Sequence, residues 1–330
     1  MDQNRSRLHI CLGVQCNNNC LFCMEEDRIG RSRRLARISA DEAEAIMTRA
    51  PGRDEVMFTA GEPTLRDDLG TLIARARGLG YRRVGLITNG RRLGYGKYLS
   101  SLLRAGLNHL LVSVHGHEAE LHDGLTRTPG AFEQVVAGLA NIQRARRGSV
   151  PVRFSITCVL NKRNLPAVRE MIGFFASFGP EEVIFNAVQP LGRGKQHFHR
   201  LVPTYTEMVE GFAAGLDGVE KLPIEVRLLD VPLCMTVDLP RRCVGFVEQH
   251  SHFEPETEIL DAITGAEPSQ TDGTQGELAL VTKEELDIAL RKKGPLCPKC
   301  IYYGACEGVW EAYVKHYGFD EFKPVADTQE

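Results

Sequence analysis

The chain reads as an α/β protein that ends in a small cysteine-rich extension. Three observations predict this: apolar strand-like runs alternate with segments of helical periodicity, the connections are long enough to hold helices, and the cysteines gather towards the two ends of the chain. Strand-like runs lie near 8–12, 54–59, 82–87, 108–114, 152–160 and 182–188, with helix-like segments at 40–49, 65–79, 94–105, 131–146 and 163–178 between them. Such alternation implies parallel strands joined by right-handed helical crossovers. Periodicity leaves two closures open, a doubly wound sheet and a barrel.

Composition bounds the partners. With 330 residues, 43% of them hydrophobic and 25% charged, the chain can bury a sizeable core and is comfortable as two domains. A net charge of -3 gives no overall electrostatic reason to expect nucleic acid or an anionic membrane. Met1 to Arg7 lacks an apolar signal-peptide core and no apolar run is of spanning length, so a cytoplasmic location is expected. There, 10 cysteines favour metal binding over disulfides. Arg28, Arg31, Arg33, Arg34 and Arg37 form a local basic run, expected as a solvated loop, with an acidic substrate or partner as the alternative.

The first strand runs into Cys16-Asn-Asn-Asn-Cys20-Leu-Phe-Cys23. Three thiolates on one short loop can hold three irons of a cubane cluster and leave the fourth without a protein ligand. The asparagines suit a chain that must wrap a compact body, because Asn tolerates left-handed and turn geometry. Zinc is the alternative, and it would need a fourth donor from elsewhere. On this motif the sequence resembles the radical SAM superfamily. The resemblance implies that Cys16, Cys20 and Cys23 hold a 4Fe-4S cluster whose open iron chelates S-adenosyl-L-methionine. It further implies an external electron donor such as flavodoxin or ferredoxin, and a 5'-deoxyadenosyl radical as the product of reductive cleavage. Phe22, between two of the cysteines, is similar to the aromatic that relatives set beside the adenine, and could equally be a packing residue.

The later strands extend the resemblance. The second ends in Thr59-Ala60-Gly61-Glu62-Pro63, similar to the Gly-Gly-Glu-Pro segment that in relatives contacts the methionine ammonium, which implies cofactor roles for Gly61 and Glu62; Ala60 departs from the pattern. The third ends in Thr88-Asn89-Gly90 and the fourth in Val112-Ser113, so Asn89 and Ser113 are candidate cofactor contacts, the alternative for each being a satisfied strand-end group. Thr157, Cys158 and Asn161 after strand five, and Asn186 and Gln189 after strand six, are further candidates, with Cys158 expected as a buried small side chain. The resemblance also chooses the closure: a partial (βα)6 TIM-like barrel, with its reactive groups at the carboxyl ends of the strands.

The barrel is expected to occupy residues 1–200 and the extension 201–330, with an exit turn at Gly192-Arg193-Gly194 followed by exposed His197, His199 and Arg200. A Gly/Ser/Thr/Gln-rich stretch at 264–277 reads as a loop. Cys297, Cys300 and Cys306, spaced Cys-x2-Cys-x5-Cys, read as a second metal site, and with Cys234 and Cys243 upstream they resemble SPASM and twitch extensions. A full SPASM set needs about seven cysteines, so one auxiliary 4Fe-4S cluster is the expected count. Its ligands would be Cys297, Cys300, Cys306 and Cys234, with Cys243 in reserve; closed tetrahedral zinc is the alternative. Residues 308–318 read as a Gly318-capped helix carrying Trp310, Tyr313 and Tyr317 on one stripe.

The resemblance implies hydrogen-atom abstraction from a substrate, first a peptide or protein in RiPP-type maturation. The alternative is a small molecule in cofactor or antibiotic biosynthesis. A non-catalytic iron-sulfur or zinc protein is the reading of another class, and Gly61-Glu62-Pro63 argues against it. No leader-peptide recognition domain is expected before the first strand. The final Asp-Thr-Gln-Glu, in place of Gly-Gly, speaks against close identity with molybdopterin-type assembly enzymes.

Overall fold

The computed structural model describes residues 7–24, 38–49, 54–244, 252–254, 281–282 and 290–326. The arginine run from Arg28 to Arg37 and the loop at 264–277 lie outside the described residues. Seven strands, β1 (Arg7–Cys11), β2 (Glu55–Thr59), β3 (Arg83–Thr88), β4 (His109–Ser113), β5 (Arg153–Leu160), β6 (Glu182–Ala187) and β7 (Glu225–Leu229), pair side by side in chain order, each parallel to the next. A doubly wound sheet would reverse its order partway along. This one never does, and it winds as a barrel.

The barrel is partial. Among the described residues β7 lies at one edge, and β1 pairs on its far side with β8 (His252–Glu254), which β9 (Val281–Thr282) follows antiparallel. The six expected strands stand within about a residue of their expected bounds, and β7 is an addition that continues the same sheet past residue 200. The helices are α1 (Ala40–Arg49), α2 (Leu69–Gly78), α3 (Gly96–Ala105), α4 (Ala119–Thr126), α5 (Ala131–Arg147) and α6 (Val168–Ala176), then α7 (Gly192–Gln196), α8 (Phe198–Leu201) and α9 (Tyr205–Gly215). The expected exit turn is therefore a short helix, α7, and α4 was not expected at all.

Strand alternation sets which side chains are available for chemistry. In β5, Phe154, Ile156, Cys158 and Leu160 are buried while Thr157 and Val159 are half-buried. The same period holds in β4, β6 and β7. One set packs under the helices with Phe175 and Phe212, and the other looks into the barrel. Cys158 belongs to the packed set, as expected, and burial pushes its thiol well up.

At the opposite end, where strands begin, Glu55 is buried and holds three neighbours. His109 Nδ1 lies 2.5 Å from one oxygen, with Arg7 at 3.2 Å and Arg83 at 3.4 Å from the other. These contacts tie the starts of β1, β2, β3 and β4. The carboxyl-terminal segment adds the antiparallel pair β10 (Arg291–Lys292) and β11 (Val309–Trp310) and a helix, α10 (Glu311–Tyr317). The expected tail helix thus starts later than the sequence suggests: Trp310 is in a strand, because pairing with β10 claims it. Gly318, at φ 71°, ends α10 as expected. Tyr313 packs into the barrel's outer layer against Tyr205, centroids 4.5 Å apart, and its hydroxyl accepts from Tyr205 N at 2.9 Å.

Candidate cluster sites at the barrel mouth and in the extension

The cysteine loop leaves β1 at the carboxyl ends of the strands and is pinned from several sides. Leu12 N donates to Thr59 O at 2.9 Å, and Glu62 N to Gln15 O at 2.7 Å. This close approach requires the glycine. A Cβ on Gly61 would sit 2.4 Å from Gln15 O and 2.7 Å from Gly13 O, and its φ of 53° disfavours other residues anyway. Ala60, which departs from the Gly-Gly-Glu-Pro pattern, also has positive φ, 66°. The methyl group is accommodated in a conformation that costs an L-residue energy.

Cys16, Cys20 and Cys23 are all half-buried on this loop. Cys16 Sγ accepts from Asn18 N at 3.3 Å, and Asn89 Nδ2 lies 3.9 Å from the same sulfur while donating to Asn17 Oδ1 at 2.7 Å. Donors directed at sulfur stabilise thiolate over thiol, which is what iron ligation needs. Asn89 is thus brought to the cysteine loop.

Glu62 is buried with both oxygens engaged. Oε1 accepts from Thr64 N at 3.1 Å and from the hydroxyls of Thr64 and Thr88 at 2.6 Å each, and Oε2 from Asn89 N at 2.7 Å. Burial raises its carboxyl pKa, and these hydrogen bonds oppose the rise. Through Glu62 the ends of β2 and β3 are locked together, directly behind the loop.

Phe22 is buried with its ring edge-to-face on His115, centroids 4.6 Å apart. His115 follows β4 and stacks on His122 of α4 at 5.9 Å. Burial, then the His122 charge, lowers the His115 pKa well below the usual range, and its Nδ1 accepts from Val159 N at 3.2 Å. Ser113 is half-buried on the inward set, in register with Thr157, whose hydroxyl accepts from Asn186 Nδ2 at 2.7 Å. Ser113, Thr157 and Asn186 therefore share the barrel interior near the mouth.

Two arginines that sequence reasoning passed over grip the loop. Arg193, in α7 and almost fully buried, donates from Nη1 to Asn19 O at 2.6 Å, Asn19 Oδ1 at 2.7 Å and Cys20 O at 2.8 Å, and its backbone N donates to Cys23 O at 2.9 Å. Arg91 donates to Asn17 O at 2.6 Å and Asn18 Oδ1 at 3.0 Å. Guanidinium groups that bind carbonyls this way fix the loop and set positive charge beside its three thiols. The position of Arg193, just after strand six, was the only signal in the sequence.

The second site is a pocket lined by Cys234, Cys297, Cys300 and Cys306, with Tyr302, Tyr303 and Phe322. Cys243 lies elsewhere, in a groove beside β7 with Leu216, Ile224 and Pro240. Three of the four thiols accept backbone hydrogen bonds: Cys297 from Gly294 N at 3.2 Å, Cys306 from Gly308 N at 3.4 Å and Cys300 from Val325 N at 3.4 Å. Burial first, then its neighbours Cys306, Cys300 and Cys297, pushes the Cys234 thiol up to about 12. A bound cation reverses that penalty, since it supplies the charge that four crowded sulfurs lack.

Thiols are the chemistry of iron ligands, and the chain sets three of them on one loop and four around one pocket. A family model, that of the Radical SAM superfamily, matches residues 10–175, from β1 to α6. The chain belongs to the radical SAM superfamily. It is 31% identical over 231 residues to molybdenum cofactor biosynthesis protein 1 of Mus musculus, a match spanning 68% of this chain and 34% of that protein. It is 33% identical over 191 residues to a probable GTP 3',8-cyclase of Saccharolobus islandicus, covering 58% of this chain and 59% of the relative. The matches thus span about a third to three fifths of these curated relatives. The fold is similar to that of Streptococcus suis SuiB bound to precursor peptide SuiA, with a TM-score of 0.64, 14% identity, and coverage of 99% of this chain and 76% of the other. Among the described residues no helix is long and apolar enough to cross a membrane.

Proposed function

We propose that this chain is a radical SAM enzyme that abstracts a hydrogen atom from a peptide substrate, with one auxiliary cluster in its extension. Cys16, Cys20 and Cys23 would hold the first cluster, leaving one iron for the amino and carboxylate groups of S-adenosyl-L-methionine. Such a cluster, reduced by one electron from an external donor such as flavodoxin or ferredoxin, would supply the electron for reductive cleavage of S-adenosyl-L-methionine to methionine and a 5'-deoxyadenosyl radical. The protein's share is position and exclusion. Gly61 lets the turn after β2 close on the cysteine loop, Glu62 and Asn89 fix that turn, and Arg91 and Arg193 clamp the loop. Phe22 with His115 walls one side, and Ser113, Thr157 and Asn186 offer polar contacts in the interior. Such walls matter because a primary carbon radical attacks almost any nearby C–H bond.

The observation that carries the reading is the pairing of a three-thiol loop at the carboxyl ends of the strands with a separate four-thiol pocket in the same chain. Cys234, Cys297, Cys300 and Cys306 would hold the auxiliary cluster, which either anchors substrate or accepts an electron from the product radical. The peptide reading draws on the likeness, across nearly the whole chain, to a structure that holds a precursor peptide. A second reading, a small-molecule substrate, draws on the sequence match to a probable GTP 3',8-cyclase. Anaerobically reconstituted protein given dithionite and S-adenosyl-L-methionine is expected to release 5'-deoxyadenosine, and Cys20→Ala to release none. Equal release from both would overturn the assignment. Deuterium transfer into 5'-deoxyadenosine from a labelled precursor peptide, against labelled GTP, separates the two substrate classes.

A further inference from the structure

We propose that Arg291 is the positioning residue of the auxiliary pocket, the group that brings the three separate stretches supplying its four thiols into register. The proposal rests on the reading that this pocket holds an auxiliary cluster. Arg291 opens β10, six residues before Cys297. Its Nη2 pairs with Asp230, four residues before Cys234, and both side chains are at most 3% exposed. The same nitrogen lies 3.3 Å from a carboxylate oxygen of Glu307, the residue after Cys306. Nη1 lies 3.5 Å from Gly308 O, and Gly308 N donates to Cys306 Sγ at 3.4 Å. The flat face of the guanidinium rests on Trp310 of β11, 3.9 Å from the ring centroid. One side chain thus meets the stretch before Cys234, the strand leading to Cys297 and Cys300, and the turn carrying Cys306.

Two features indicate that this junction is built for a purpose beyond packing. Asp230 has φ 69°, in the left-handed region that Asp tolerates better than most residues but still at some cost, and such positions gather at functional sites. Its second oxygen accepts from Gln189 Nε2, so the junction continues to the end of β6 at the barrel mouth. The job also calls for arginine specifically. A planar fork can hold two carboxylates in its plane while stacking on an indole, and a lysine ammonium cannot.

The test uses full-length Cys20→Ala protein, in which the pocket alone is left to bind iron. After anaerobic reconstitution, three things are measured: iron per chain, the rate of its loss to a chelator, and the paramagnetic spectrum of the reduced protein. The variants are Arg291→Lys, Arg291→Met and the double variant Asp230→Asn/Arg291→Met, which removes both buried charges and so keeps the test open if the single change fails to fold. A positioning residue predicts that Arg291→Met and the double variant lose pocket iron about 10 to 100 times faster than the parent. It also predicts that Arg291→Lys, which keeps the charge but not the planar fork, loses iron at a rate between those of the parent and Arg291→Met and with an altered spectrum. If the double variant regained the parent's retention and spectrum, Arg291 would only neutralise Asp230 and the proposal would be wrong. A parent that binds zinc there overturns the cluster reading alone, and the same chelator comparison on zinc then decides for or against Arg291. A parent with no pocket metal overturns both.

Discussion

At the scale of single residues, Gly61 and Arg193 define how the amino-terminal thiols are held. A methyl at position 61 would need Gln15 O and Gly13 O to retreat, both of them backbone atoms in the loop that carries Cys16. Gly61→Ala is therefore expected to lower iron bound at that loop, and 5'-deoxyadenosine release with it, by about tenfold or more. Iron analysis in a Cys297→Ala/Cys300→Ala background, where the pocket keeps only two thiols, checks this. Arg193→Met removes the three hydrogen bonds that Nη1 makes to Asn19 and Cys20 and is expected to speed iron loss from the same loop without moving Cys23 out of reach, because the backbone bond to Cys23 O survives. The thiols could be read from the sequence because their spacing is local. Arg193 could not, since its partners lie 173 and 174 positions away and an arginine between two glycines looks like a surface turn. Phe22 was left between cofactor contact and packing, and the structure gives it His115 as a partner.

At the scale of elements, the sheet's two ends divide the labour: strand ends carry the chemistry and strand starts carry stability. Burial alone would raise the Glu55 carboxyl, but the His109 hydrogen bond and the Arg7, His109 and Arg83 charges outweigh it and hold it at about 2, against 4.5 for the free group. A carboxyl depressed in the folded state stabilises above its unfolded value and loses that contribution as pH falls through its folded value. Glu55→Gln is thus expected to cost about 3 kcal/mol at neutral pH, with the gap to the unaltered protein closing between roughly pH 4.5 and 2. Denaturant titrations of both proteins across that range check it. His9, lowered to about 3 by burial and then by Arg7, adds acid sensitivity of the same sign, since below its ordinary value of 6.5 the unfolded chain takes up a proton there that the folded chain does not. Strand bounds were readable because apolar runs alternate with helical periods. The helices α4, α7 and α8 were missed because four to eight residues hold too few periods to register. For α9 a signal existed, the capping box of Thr204 and Glu207.

At the scale of the whole molecule, winding in chain order separates the barrel from the doubly wound alternative, which periodicity could not do. It also places β7 next to β6, so the segment ending in Cys234 starts from the sheet while the other three pocket thiols arrive from the far end of the chain. The double variant Cys297→Ala/Cys300→Ala, which leaves only two thiols in the pocket, is expected to reduce iron from about eight to about four per chain. Cys243→Ala should leave it unchanged, because Cys243 lines a different groove. The account depends above all on one iron at the amino-terminal loop being available to an exchangeable ligand. The most direct measurement is the paramagnetic resonance spectrum of reduced Cys297→Ala/Cys300→Ala protein, whose pocket keeps two thiols, before and after addition of S-adenosyl-L-methionine. A shift of the cluster's signal on addition is the result expected; a spectrum indifferent to the nucleoside contradicts the account.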